Sequence, residues 1–122
     1  MLIKNLYQVK NLVTDKDRTT ARITINKDHE IFKGHFPGNP VMPGVCMIQI
    51  IKELTEEVVG KKLFLSVSSN IKFMAIINPE IHPDLTLILD ISRSENEVKI
   101  KNTTSFGDTL ALKLNATFRI LG

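Results

Sequence analysis

Residues 34–45 read Gly34-His35-Phe36-Pro37-Gly38-Asn39-Pro40-Val41-Met42-Pro43-Gly44-Val45, and an apolar stretch follows at once. Three glycines and three prolines among twelve residues exclude helix and central strand. Proline locks φ and lacks an amide donor, whereas glycine opens positive φ. The segment is a loop of tightly specified backbone. It carries His35, a side chain that can exchange protons near neutral pH. It ends on Pro43-Gly44 at the mouth of a helix, where unpaired backbone N–H groups can hold an anionic or polarised oxygen. A base beside an oxygen-binding helix start is the most chemically suggestive arrangement in the chain.

The helix after the loop is expected over residues 43–59. Proline suits the first turn. Val45, Ile48, Ile50 or Ile51, Leu54 and Val58 recur at helical spacing, and Gly60 is placed to cap the C-terminus. Apolar residues also fall outside one stripe, as in a helix buried on most sides.

On either side the period changes. Residues 6–13 and 19–25 read as strands, and 28–32 as one helical turn. Four β-branched, alternating segments follow at 63–73, 84–93, 97–104 and 109–120. Their separators are turn-like (Asn78-Pro79, His82-Pro83, Ser94-Glu95-Asn96, Ser105-Phe106-Gly107-Asp108), and short separators join antiparallel neighbours. Two strands, one long helix and four strands imply an α+β layer architecture, in which one antiparallel sheet wraps one helix.

Length and composition set the outer bounds. The 122 residues suggest a single domain, 1–122. With 6% aromatic residues and no Trp, Ile, Leu and Val must build the core. A net charge of +3 leans weakly toward acidic partners. The Lys and Arg are scattered and not interleaved with aromatics, so nucleic-acid binding is not expected. One cysteine, Cys46, precludes an intramolecular disulfide. No signal-peptide run and no apolar stretch of about 18 residues is present, so no membrane insertion is expected and a cytoplasmic location is favoured.

Gly34-His35-Phe36-Pro37-Gly38 followed by Pro40-Val41-Met42-Pro43-Gly44-Val45 resembles the signature of the β-hydroxyacyl-acyl carrier protein dehydratases of the FabZ and FabA type. Asn70-Ile71-Lys72-Phe73 is similar to the basic-Phe pair on that family's following strand. Sharp similarity covers residues 34–53. Beyond it, Ile76-Ile77-Asn78-Pro79-Glu80-Ile81-His82-Pro83-Asp84 is longer than the family's Pro-Val-x-Pro-Gly-Asp and lacks its Gly.

The resemblance implies the hot-dog fold, about six antiparallel strands around a central helix. It implies a homodimer with composite sites at its interface, with a trimer of dimers as a further option. It also implies dehydration of 3-hydroxyacyl thioesters to trans-2-enoyl thioesters, carried on acyl carrier protein or coenzyme A. No cofactor or metal is expected: His29, His35 and Cys46 match no zinc spacing.

The family's roles carry over residue by residue. His35 is the base that takes the proton α to the thioester carbonyl, and Gly44 supplies the N–H that holds the carbonyl oxygen. Phe36, Pro43, Val45 and Phe73 fall at substrate-binding positions. The family's helix carboxylate lies five residues after the last Gly of the motif, which here is Gln49, and a carboxamide has no proton to give at neutral pH. One turn on, where the family carries Gln, stands Glu53. The two share a helix face but lie about 6 Å apart along the axis. Glu53 is either a relocated acid or a solvated carboxylate near Lys61-Lys62. Three activities stay open: a dehydratase using Glu53 or a water held by Gln49, a hot-dog thioesterase, and an acyl-thioester-binding module without turnover. Cys46, in the first helical turn, is either packed or activated by the helix dipole.

Overall fold

The computed structural model describes residues 5–32 and 41–121, with backbone alone over 67–69. Its elements are β1 (Tyr7–Asp15), β2 (Arg18–Ile25), a 3-10 turn (Glu30–Phe32), α1 (Gly44–Val59), β3 (Leu63–Phe73), β4 (Asp84–Arg93), β5 (Glu97–Phe106) and β6 (Thr109–Ile120). The strands form one sheet in the order β1-β2-β4-β5-β6-β3. Every neighbouring pair is antiparallel. The sheet curls around α1 in the hot-dog arrangement.

Alternation along the strands decides which face meets the helix. Ala21, Ile23, Leu87, Leu89, Val98, Ile100, Leu112, Leu114 and Phe118 are buried with Cys46, Met47, Ile50, Ile51 and Leu54 of α1 in one cluster. The buried helical stripe is thus Cys46, Met47, Ile50, Ile51, Leu54 and Thr55. Its phase differs from the expected one. Val45 is 73% exposed, and Ile48 and Val58 are only half-buried. The helix was read as apolar nearly all round, and spacing alone does not say which of several apolar rows the sheet covers.

Two hairpins are tighter than the separators implied. β1 and β2 meet across Lys16-Asp17, with Lys16 at φ 57°, and β5 and β6 across Gly107-Asp108, with Gly107 at φ 56°. Residues just outside the expected strands are drawn into the ladder because they find cross-strand partners. Thr14 pairs with Thr19 and their hydroxyls lie 2.8 Å apart. Gly60 ends α1 in the left-handed conformation at φ 70°, its N–H donating to Glu56 O, as expected.

The long connection after β3 is tied down at both ends. The Met42 N–H donates to Ile77 O at 2.8 Å, and the Ile25 N–H to Pro83 O at 2.7 Å. The exposed His82 ring stacks on Phe106, with centroids 4.3 Å apart. β1 and β3 are the sheet edges. β3 leaves Phe64, Ile71 and Phe73 exposed.

Candidate active site

The N-terminus of α1 is the first half of the site. Pro43 is its N-cap, in extended backbone at φ −63° and ψ 141°, and no side chain caps the helix. The Pro43 carbonyl already accepts from the Cys46 and Met47 amides. The N–H groups of Gly44 and Val45 precede any intrahelical acceptor, as in every helical first turn. They carry the positive end of the helix dipole.

Gly44 lines an open cavity of about 420 Å³ with Val41, Met42, Met47, Phe73, Met74, Ala75, Ile76 and Ile77. The wall is mostly apolar, which suits an acyl chain or a pantetheine arm better than a charged ligand. A side chain at position 44 would place its Cβ 2.8 Å from Cζ of Phe73. The Phe73 ring packs flush against the helix start because position 44 has no side chain.

The second half of the site lies further along α1. The Gln49 amide donates from Nε2 to Glu53 Oε2 at 2.9 Å. The Tyr7 hydroxyl, from β1, donates to Glu53 Oε1 at 2.7 Å. Glu53 therefore takes donors on both oxygens, and these are two of its contacts. It is partly buried and lines a cleft of about 510 Å³ with Tyr7, Val9, Leu12, Leu54, Glu56, Glu57, Lys61 and Lys62. Burial first, then the hydrogen bond to Glu53, then the charges of Glu53, Glu57 and Glu56 push the Tyr7 phenol well above the ordinary tyrosine range. Tyr7 stays protonated and acts as a donor.

Glu53 is neither bare nor sealed: its carboxylate takes donors from a strand and from its own helix, and it lines the cleft that Lys61 and Lys62 also line. Across the axial separation of Gln49 and Glu53 the two side chains lean together and bond directly. Tyr7 is a residue that the sequence reading did not single out. Its one available signal was composition, since it is the chain's sole tyrosine.

Among the described residues, Gly44 and Glu53 line different cavities. At 100° per residue, Gln49 sits about 140° and Glu53 about 180° around the helix from Gly44. The cavity at the helix start and the cleft beside Tyr7 therefore lie on different sides of α1. Of the other sequence-designated positions, Phe73 lines the first cavity, Pro43 caps the helix, and Val45 projects outward. His35 and Phe36 lie outside the described residues. Cys46 is 2% exposed, and burial raises its thiol pKa, so packing outweighs the helix dipole there. Among the described residues no group of His, Cys, Asp and Glu could hold a metal ion. No helix among them is long and apolar enough to cross a membrane.

The chain is similar to known proteins. The ApeI-like family, described as ApeI dehydratase, matches residues 11–111. The 3-hydroxyacyl-[acyl-carrier-protein] dehydratase FabZ of Lactobacillus helveticus is 34% identical over 106 residues, covering 81% of this chain and 70% of the relative. Its counterpart from Levilactobacillus brevis is 33% identical over 107 residues, with the same coverage. Among solved structures, the dehydratase heterocomplex ApeI:P from Xenorhabdus doucetiae superposes with a TM-score of 0.74 at 16% identity, over 92% of this chain and 96% of that one. A putative thioesterase, yhdA, from Lactococcus lactis superposes with a TM-score of 0.70 at 8% identity, over 99% and 96%. At such identities the two structures speak for the fold alone. The sequence matches run through the helix start, Gln49 and Glu53, and place this chain in the ApeI-like, FabZ/FabA-related dehydratase family.

Proposed function

We propose that this chain, as a single hot-dog domain spanning residues 1–122, dehydrates 3-hydroxyacyl thioesters to trans-2-enoyl thioesters. The acyl group is carried on acyl carrier protein, as in the FabZ relatives, and the reaction serves fatty-acid or related lipid synthesis. The observation that carries the reading is Gly44: a helix-initial N–H in the wall of an apolar cavity, with the Phe73 ring packed where a side chain at 44 would sit.

The chemistry balances as follows. His35 takes the proton from the carbon α to the thioester. The electron pair moves toward the carbonyl, where the Gly44 N–H stabilises the developing oxyanion. A preorganised donor of this kind is worth about 2.7–4 kcal/mol. The double bond forms as the β C–O bond breaks, and the oxygen leaves as water. Gln49 stands where the family has its acid and holds the β-hydroxyl. The departing oxygen receives the proton that His35 has just taken, so one imidazole serves both transfers.

Two features support a homodimer with shared sites. The two polar halves lie on different sides of α1, so one helix cannot supply both to one substrate. Among the described residues β3 is an edge strand, and Val45, Ile71, Phe73, Met74 and Ile76 are exposed. A second copy pairing along β3 would cover that patch. A cytoplasmic location fits a carrier-linked substrate.

The test is incubation with 3-hydroxyacyl and trans-2-enoyl thioesters. Interconversion that is lost in His35→Ala is expected. Release of free thiol would make the chain a thioesterase, and binding without turnover would make it an acyl-binding module. Either result overturns the proposal.

A further inference from the structure

Glu53 is gripped from two elements, and the chemistry of the grip fixes an orientation. A carboxylate only accepts hydrogen bonds, so the Gln49 atom facing it must be the amide nitrogen. The amide oxygen, on the opposite corner of a planar group, then points away from Glu53 as an acceptor. Glu53 can hold that orientation only if its own carboxylate is held. A glutamate terminus turns freely about its last torsion, and Lys61 and Lys62 line the same cleft and compete for it.

Tyr7 supplies one such restraint. It is 8% exposed and paired with Ile25 in the β1–β2 ladder. The neighbouring Leu6 is 1% exposed, and its carbonyl accepts from the Asn26 amide at 2.8 Å. The phenol thus projects from anchored backbone.

We propose that Tyr7 is a positioning residue: through Glu53 it holds the Gln49 amide so that the carbonyl oxygen, not the NH2 group, meets the substrate's 3-hydroxyl. This rests on the dehydratase reading and adds to it. Glu53 then acts through Gln49 as an orienter and not as a relocated acid. Gln49 selects a substrate that donates a hydrogen bond at C3. A hydroxyacyl thioester does so, and a saturated or 3-oxo one does not.

The competing role for Tyr7 is a staple between β1 and α1 with no bearing on Gln49. Turnover of 3-hydroxybutyryl and 3-hydroxydecanoyl N-acetylcysteamine thioesters by wild type, Tyr7→Phe, Gln49→Met and the double variant separates the two. Positioning predicts that Tyr7→Phe lowers kcat on the order of tenfold with KM changed less than about twofold. It also predicts no further loss when Tyr7→Phe is added to Gln49→Met. Wild-type kcat in Tyr7→Phe, or losses that multiply in the double variant, would overturn it.

A second measurement needs no turnover. In 1H–15N spectra the Gln49 side-chain NH2 pair should be protected from solvent exchange in wild type and lose that protection in Tyr7→Phe. Unchanged protection overturns the positioning role whatever the reaction. Absent turnover with protection that depends on Tyr7 overturns the dehydratase reading alone.

Discussion

The phenol of Tyr7 can be titrated in isolation, because the chain has one tyrosine and no tryptophan. The perturbation is alkaline pH. An unfolded tyrosine ionises near pH 10. In the native state burial and Glu53, backed by Glu57 and Glu56, hold the proton on the phenol well above that value. The native state therefore binds more protons than the unfolded one above about pH 10. Stability from this group is fully present below pH 10 and falls as pH rises. With the native phenol still protonated at pH 11, linkage gives a loss of about 1.4 kcal/mol. Solvent reaching the partly exposed Glu53 brings this nearer about 1 kcal/mol.

The assay has two parts. Tyrosinate absorbance should rise near pH 10 in denaturant but well above it in the native protein. Urea unfolding at pH 9 and 11 should show wild type losing about 1 kcal/mol more than Tyr7→Phe. A native phenol that titrates near pH 10, or identical losses in the two proteins, would refute the Tyr7–Glu53 bond and everything built on it.

Other consequences are checked more simply. Gln49→Glu sets two carboxylates where an amide now donates across 2.9 Å. The pair shares a proton at a raised pKa, so the variant should lose about 2 kcal/mol at pH 8 and recover it as pH falls toward about 4; denaturant midpoints at the two pH values decide. Gly44→Ala drives Cβ to 2.8 Å from Phe73 Cζ, but that ring is 55% exposed and can swing. The melting temperature should move by less than about 4 °C while thioester turnover falls at least tenfold, on the order of a misplaced near-attack geometry. Adding Phe73→Ala to Gly44→Ala should restore part of the turnover, and no recovery would remove the ring from the argument. Ile71→Asp, on the free edge strand, should convert a dimer to monomers in sedimentation equilibrium and abolish activity together; retained activity in the monomer would refute shared sites.

Much of the fold was legible in residue order. β3, β4 and β6 begin and end where alternation and turn residues placed them, and Gly60 caps α1 as its position after the last apolar turn implied. The errors were at hairpins, where Thr14, Ser105 and Phe106 look like turn material yet join the ladder, because a partner strand supplies hydrogen bonds that no local pattern announces. The helix stripe was misphased at Val45 for a related reason. Several rows of α1 are apolar, and the curl of the sheet selects which one is covered.

The site divides in the same way. The Gly/Pro segment determines by itself that a histidine precedes a helix start with open N–H groups, because backbone restrictions are local and written in residue type. Position 49 likewise announces an amide five residues after Gly44. That this amide is tied to Glu53, and Glu53 to Tyr7 forty-six residues away, is decided only by tertiary structure. Hydrogen bonds between distant elements depend on how the sheet curls against α1, and no spacing in the chain encodes that distance.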